Sequence, residues 1–181
     1  MHSPGSDLSV TVREGEEAAC REFTQRLLAL GFVRTKKKFW VRRRTFSADV
    51  IHLHRHGSYR GPISSQVAFQ VHFAIKVFND SFPAIALNGP ESNTTVLRAG
   101  HYHLSFHAGT RHMYERCCDD LFRLVAELGQ PWFGRFTSPA ALTAEDSPLK
   151  ETQRLELTLA MAGKSDPALV AQSLKLLGLK P

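Results

Sequence analysis

The chain has 181 residues, 43% of them apolar, with a formal net charge of +6, enough to bury one core with an appendage and too much to suit general disorder. No run approaches the roughly 18 uninterrupted apolar residues of a membrane span, and MHSPGSDLSVTVREGEE lacks the basic-then-apolar order of a secretory signal, so a cytoplasmic protein is expected. The charge is local: Phe23 to Ala48 holds eight basic residues and no acidic one, which excludes a chain that is basic throughout.

In chain order, helical spacing of Cys20, Phe23, Leu27, Leu28 and Leu30 predicts a first helix from near Glu14 to Leu30, stopped by Gly31. KFWVRRRTF then alternates, Phe39 and Val41 facing one way and Trp40, Arg42 and Arg44 the other, as a first strand would. ADVIHLHRHG is the second strand, and GSYRGPIS a loop punctuated by Gly and Pro. QVAFQVHFAIKVF follows with apolar residues at every odd position from Val67 to Val77, a third strand with one buried face. DSFPAIALNGPESNTT reads as a loop, and GHYHLSFHAG as the last strand, with Tyr102, Leu104 and Phe106 opposite His101, His103, Ser105 and His107.

RHMYERCCDDLFRLVAELG places Met113, Cys117, Leu121, Leu124, Val125 and Leu128 on one helical face, and Gly129 and Pro131 are expected to end that helix. PWFGRF is an aromatic plug or a turn. Beyond Thr137 two or three short helices are expected, the last capped by Ser165 or Asp166 ahead of Pro167. Together these elements predict an α+β fold: an antiparallel sheet of about four to five strands with helices on one face, residues 1–136, and a C-terminal helical appendage, residues 137–181. Whether the appendage folds over the other sheet face is left open by the pattern. Cys20, Cys117 and Cys118 show no CxxC spacing, and an adjacent pair cannot readily bridge to itself, so they are expected to be structural thiols.

The odd positions of the third strand must face the helices. The even positions of that strand then face away, and if the registers agree that opposite face collects His52, His54, His56, Gln70, His72, His101, His103 and His107, seven of the chain's nine histidines. Neighbours along a strand are about 6.6 Å apart and neighbouring strands about 4.8 Å apart, so His52, His54 and His103 could converge on one ion, for which zinc is the candidate metal. No Asp or Glu falls on this face within the predicted strands, which argues against a catalytic metal; no cofactor is the expectation. HLSF, His103 to Phe106, has the His-apolar-Ser-apolar form of the two-histidine phosphoesterases, once rather than twice. RTKKKFWVRRR interleaves cations with aromatics, so Lys36, Lys37, Lys38 and Trp40 are candidates for a nucleic-acid or acidic-protein contact.

LLALGFVRTKKKFWVRR, DVIHLHRHGSYRG, VAFQVHFAIKVF and VAELGQPWF, taken in order, resemble the bacterial domain-of-unknown-function family 4304 over about residues 18–136. The resemblance implies a small bacterial cytosolic α+β domain without an established reaction. His52, His54 and His56 stand where that family prefers amide or small polar residues.

The expected function is therefore a non-enzymatic binding module. It would engage a protein or small ligand through the histidine-lined face and the adjacent band, with His54, His72, His103, Arg42 and Arg44 central. The alternatives are a metal-dependent or phosphoester-directed hydrolase using His52, His54, His101 and His103, and a nucleic-acid binder using Lys36 to Arg44.

Overall fold

A computed structural model describes residues 4–56, 65–90 and 100–180, with the side chains of residues 4–6 and of His56 outside that description. The expected loop at 57–64 and the 91–95 part of the next loop therefore lie outside the described residues. Helix α1 runs Pro4–Leu28. It begins ten residues before the expected Glu14 because Val12 continues the buried stripe of Ala19, Cys20, Phe23 and Leu27 by a further two turns. Gly31 ends it as expected: at φ 78° it adopts the left-handed conformation that lets Phe32 N–H reach the Leu27 carbonyl at 3.2 Å.

The sheet has five strands in sequence order: β1 Val33–Lys36, β2 Phe39–Arg43, β3 Ser47–His56, β4 Gln66–Val77 and β5 Ser105–His107. Every neighbouring pair is antiparallel, so the domain is α+β with a meandering sheet. The basic stretch is thus a hairpin, β1 turning into β2 through Lys37 and Lys38, where the sequence suggested a single strand. A Lys-Lys turn carries none of the Gly or Asn that usually mark a two-residue hairpin loop. The odd positions of β4 pack against α1 and the following helix with Trp40, Ile51 and Leu53. Trp40 closes this core edge-on to Phe23, ring centroids 5.0 Å apart, and its indole N–H donates to Thr24 Oγ1 at 2.9 Å.

Helix α2, Tyr114–Leu124, does not stop at Gly129. It passes through one π-helical turn, Val125–Gly129, into α3, Gln130–Arg135. Gln130 N–H reaches back to the Val125 carbonyl, and Pro131 falls in the first turn of α3, where no N–H is required. Gly129 is needed for closeness rather than for a stop: a Cβ there would lie 2.6 Å from the Phe73 ring. Gly89 serves the same residue from another side, its N–H bonding the Phe73 carbonyl at 3.0 Å while Asn88 pairs its amide with both backbone groups of Ile75. Residues 88 and 89 therefore occupy the edge of β4 that short β5 leaves unpaired.

The tail contains α4 Pro139–Thr143, α5 Glu151–Met161 and α6 Pro167–Leu177, the last capped by Asp166, whose carboxylate accepts the Ala168 N–H at 2.8 Å. α6 lies on the second face of the sheet, its Leu174 and Leu177 packed with Val41, Ala48, Val50, Ala74 and Phe78. Its C-terminal carbonyls are met by the hairpin: Thr35 Oγ1 donates to Leu177 O at 2.5 Å and Lys36 Nζ to Leu176 O at 2.6 Å, a cation at the negative end of a helix. α5 is held by a buried polar cluster in which Lys76 Nζ donates to Asp80 Oδ2 at 2.7 Å and Gln153 Nε2 to the same oxygen at 2.8 Å.

Candidate functional site

α6 covers the second sheet face only as far as Phe39 and Val50. Past that line the register puts Phe39, His52 and His72 in one row and His54 beside Gln70 in the next. Ser105 then lies opposite Ala68 and His107 opposite Gln66. The Phe39 and His52 rings stack at 4.4 Å between centroids, His52 and His72 at 5.8 Å, and His54 tilts towards His52 at 6.3 Å. His52 and His72 are half-buried and His54 is exposed. His56 pairs through its backbone with Ala68, and its side chain lies outside the described residues.

Burial, reinforced by the neighbouring His72, His54 and Lys38, pushes the His52 pKa down to about 4, and burial with His54 lowers that of His72. Both imidazoles are neutral at pH 7, so this surface is aromatic and hydrogen-bonding rather than cationic. Among the described residues on this face of β3, β4 and β5 none is Asp or Glu, and no group of three His, Cys, Asp or Glu is placed to hold a metal ion.

Further along the sheet, at β5, lies a pocket of about 320 Å³ lined by Gln66, His103, Ser105, Phe106, His107, His112 and Met113. His107 Nδ1 accepts the Thr110 N–H at 3.2 Å, so the neutral ring keeps its proton on Nε2 and presents a donor. His103 is fixed through its backbone, its N–H bonding buried Asp120 Oδ2 at 2.7 Å. His112 and Asp120 are additions to the sequence-predicted set. Asp120 could have been found as an acid set among the apolar positions of its helix, whereas His112 lies in a turn with no periodicity. His101 is exposed against Tyr102 and does not line the pocket.

Arg42 and Arg44 require correction. They project to the core side of the sheet, away from the histidines, where Arg42 Nε lies 2.8 Å and Arg44 Nη2 2.7 Å from Asp49, a fully buried carboxylate. The Arg42 guanidinium also lies 4.6 Å over the Phe32 ring and donates to Leu30 O at 3.0 Å, while Arg44 donates to Phe133 O at 3.1 Å. Asp49 sits mid-strand and needs two cations to offset its lost hydration, which fixes where both arginines point.

The other basic-band residues are similarly engaged. Trp40, expected to offer a stacking surface, is fully buried and unavailable to a base. Lys36 caps α6, Lys38 pairs with buried Glu16, and Arg34 grips Glu17 with two bonds of 2.7 and 2.9 Å. Among the described residues of that candidate nucleic-acid set, only Lys37 stands exposed without a hydrogen-bond or ion-pair partner for its ammonium.

The three cysteines are buried free thiols. Burial pushes Cys20 to about 11 and Cys118 to about 12, and raises Cys117 too, far from nucleophilic thiolate at neutral pH. Among the described residues no helix is long and apolar enough to cross a membrane. No protein-family model, curated protein or solved structure matches the chain.

Proposed function

We propose that this chain is a non-enzymatic binding module that engages a protein or small ligand through the half of its second sheet face that α6 does not cover. The observation carrying this reading is the boundary left by α6: one half of the face is packed, and the other presents Phe39, His52 and His72 as a stacked row. Neutral imidazoles and Gln70 offer both donors and acceptors over flat apolar rings, a surface suited to a polar aromatic or amide group. The pocket at β5, where His107 Nδ1 is occupied by Thr110 and leaves Nε2–H as a donor, gives the ligand an anchor. The cytoplasmic setting and the resemblance to family 4304 belong to the same reading.

Amide NMR during titration with a library of small heteroaromatic and carboxamide fragments tests it. Shifts should gather on His52, Gln70, His72, Ser105 and His107 and shrink at least fivefold in the double variant His54→Ala, His72→Ala. Fragments that gather elsewhere, or bind the variant equally well, would remove the proposal. Stoichiometric zinc uptake by untagged protein, with a rise in melting temperature, would put the metal-dependent hydrolase in its place.

A further inference from the structure

On the helix-bearing side of the sheet, a groove of about 820 Å³ runs between α1 and the turn that follows β5. Its α1 wall carries Val10, Glu14, Glu17 and Arg21, residues that recur at the spacing of one helical face. The floor is the contact between Gly15 and Ala108, and the approach there is close: a Cβ on Gly15 would lie 2.9 Å from the Ala108 Cβ. A glycine inside a helix costs about 1 kcal/mol relative to alanine, so the close approach is what this position provides in return.

Cations surround this floor. Arg13, Arg21, Lys37 and Arg111 all line the groove. Of its two acids Glu17 is already neutralised by Arg34, whose hydrogen bonds hold its carboxyl below the usual range. That leaves Glu14 against four positive charges. Among the described residues neither Arg21 nor the Lys37 ammonium has an ion-pair partner, unlike Arg34, Lys38, Arg42 and Arg44. From Val10 to Arg21 the wall is about 16 Å long at 1.5 Å per residue. An extended peptide advances about 3.3 Å per residue, so five residues span it.

We propose that this groove docks an extended acidic segment of a partner protein, apolar side chains on the Val10, Ala18 and Ala108 floor and carboxylates reaching Arg21, Lys37 and Arg111. The site is independent of the histidine face and is built from the other side of the sheet. A fluorescein-labelled pentapeptide alternating glutamate and leucine, titrated with the full chain and followed by anisotropy, is the probe. Saturable binding that weakens with salt is expected, with at least a tenfold loss of affinity in the double variant Arg21→Glu, Lys37→Glu. Both side chains are exposed, so that variant should melt with the parent. Amide shifts should fall on Val10 to Arg21 and Ala108 to Arg111. Absence of saturable binding, unchanged affinity in the variant, or shifts on the histidine face would overturn the proposal. Displacement of the peptide by inorganic phosphate at equal concentration would overturn it as well, replacing a peptide groove with a small-anion site.

Discussion

Protonating His52 means placing a cation between the Phe39 and His72 rings, with His54 and Lys38 adding repulsion. Its folded-state pKa of about 4 lies below the unfolded value of about 6.5, so as pH falls the unfolded chain takes the proton first. The contribution of neutral His52 to stability is complete above pH 6.5 and is lost between there and pH 4. Urea unfolding across that window should show a loss on the order of 2 kcal/mol that His52→Gln largely removes. Parallel pH profiles for parent and variant would defeat the assignment. The same residue illustrates what spacing can and cannot say. Alternation sets His52 and His54 on one side of β3, but their alignment with His72 depends on strand register, which no local pattern states.

At the scale of elements, α6 is the piece whose position determines how much sheet is left bare. Leu177 is fully buried against the second face, so Leu177→Ala should cost about 2–4 kcal/mol in urea denaturation. Leu155→Ala on α5, at a residue 61% exposed, should change stability by under about 0.5 kcal/mol. A comparable loss at both positions would mean that α6 is not seated on the sheet. β4 was legible residue by residue, because a strand with one buried face must alternate. β1 was not, since its turn is made by Lys37 and Lys38 and fixed by tertiary contacts, Lys38 to Glu16 and the preceding Lys36 to α6, rather than by a local turn preference. The end of α2 was misjudged for a related reason: Gly129 makes room for the Phe73 ring, a long-range demand that looks like a helix stop in one dimension. Asp166 and Pro167 marked the start of α6 correctly, yet a helix's own pattern does not say which surface it will cover.

For the molecule as a whole, Asp49 is the point where most parts meet. Through Arg42 and Arg44 it links β2 and β3 to the Leu30 carbonyl after α1 and to Phe133 and Gln130 of α3. Asp49→Ala leaves two guanidinium groups without their counter-charge, and the expected loss is about 3–5 kcal/mol, measurable as a lower urea midpoint with unchanged slope. A loss below about 1 kcal/mol would show that backbone carbonyls alone hold the arginines. The consequence for function is one of partition: these two cations stabilise the fold and are withdrawn from any ligand, whereas Arg21 and Lys37 in the groove beside α1 remain exposed.

The placement of α6 also orders events during synthesis. Thr35 and Lys36 wait for carbonyls 142 and 140 residues further along the chain, and Val41, Val50 and Ala74 wait for Leu174 and Leu177. A ribosome that has made the whole sheet has therefore made a protein with an apolar strip still open to water. Contacts of that sequence span form late and slowly. During that interval the nascent chain's exposure to aggregation is set by a surface that the finished protein no longer shows.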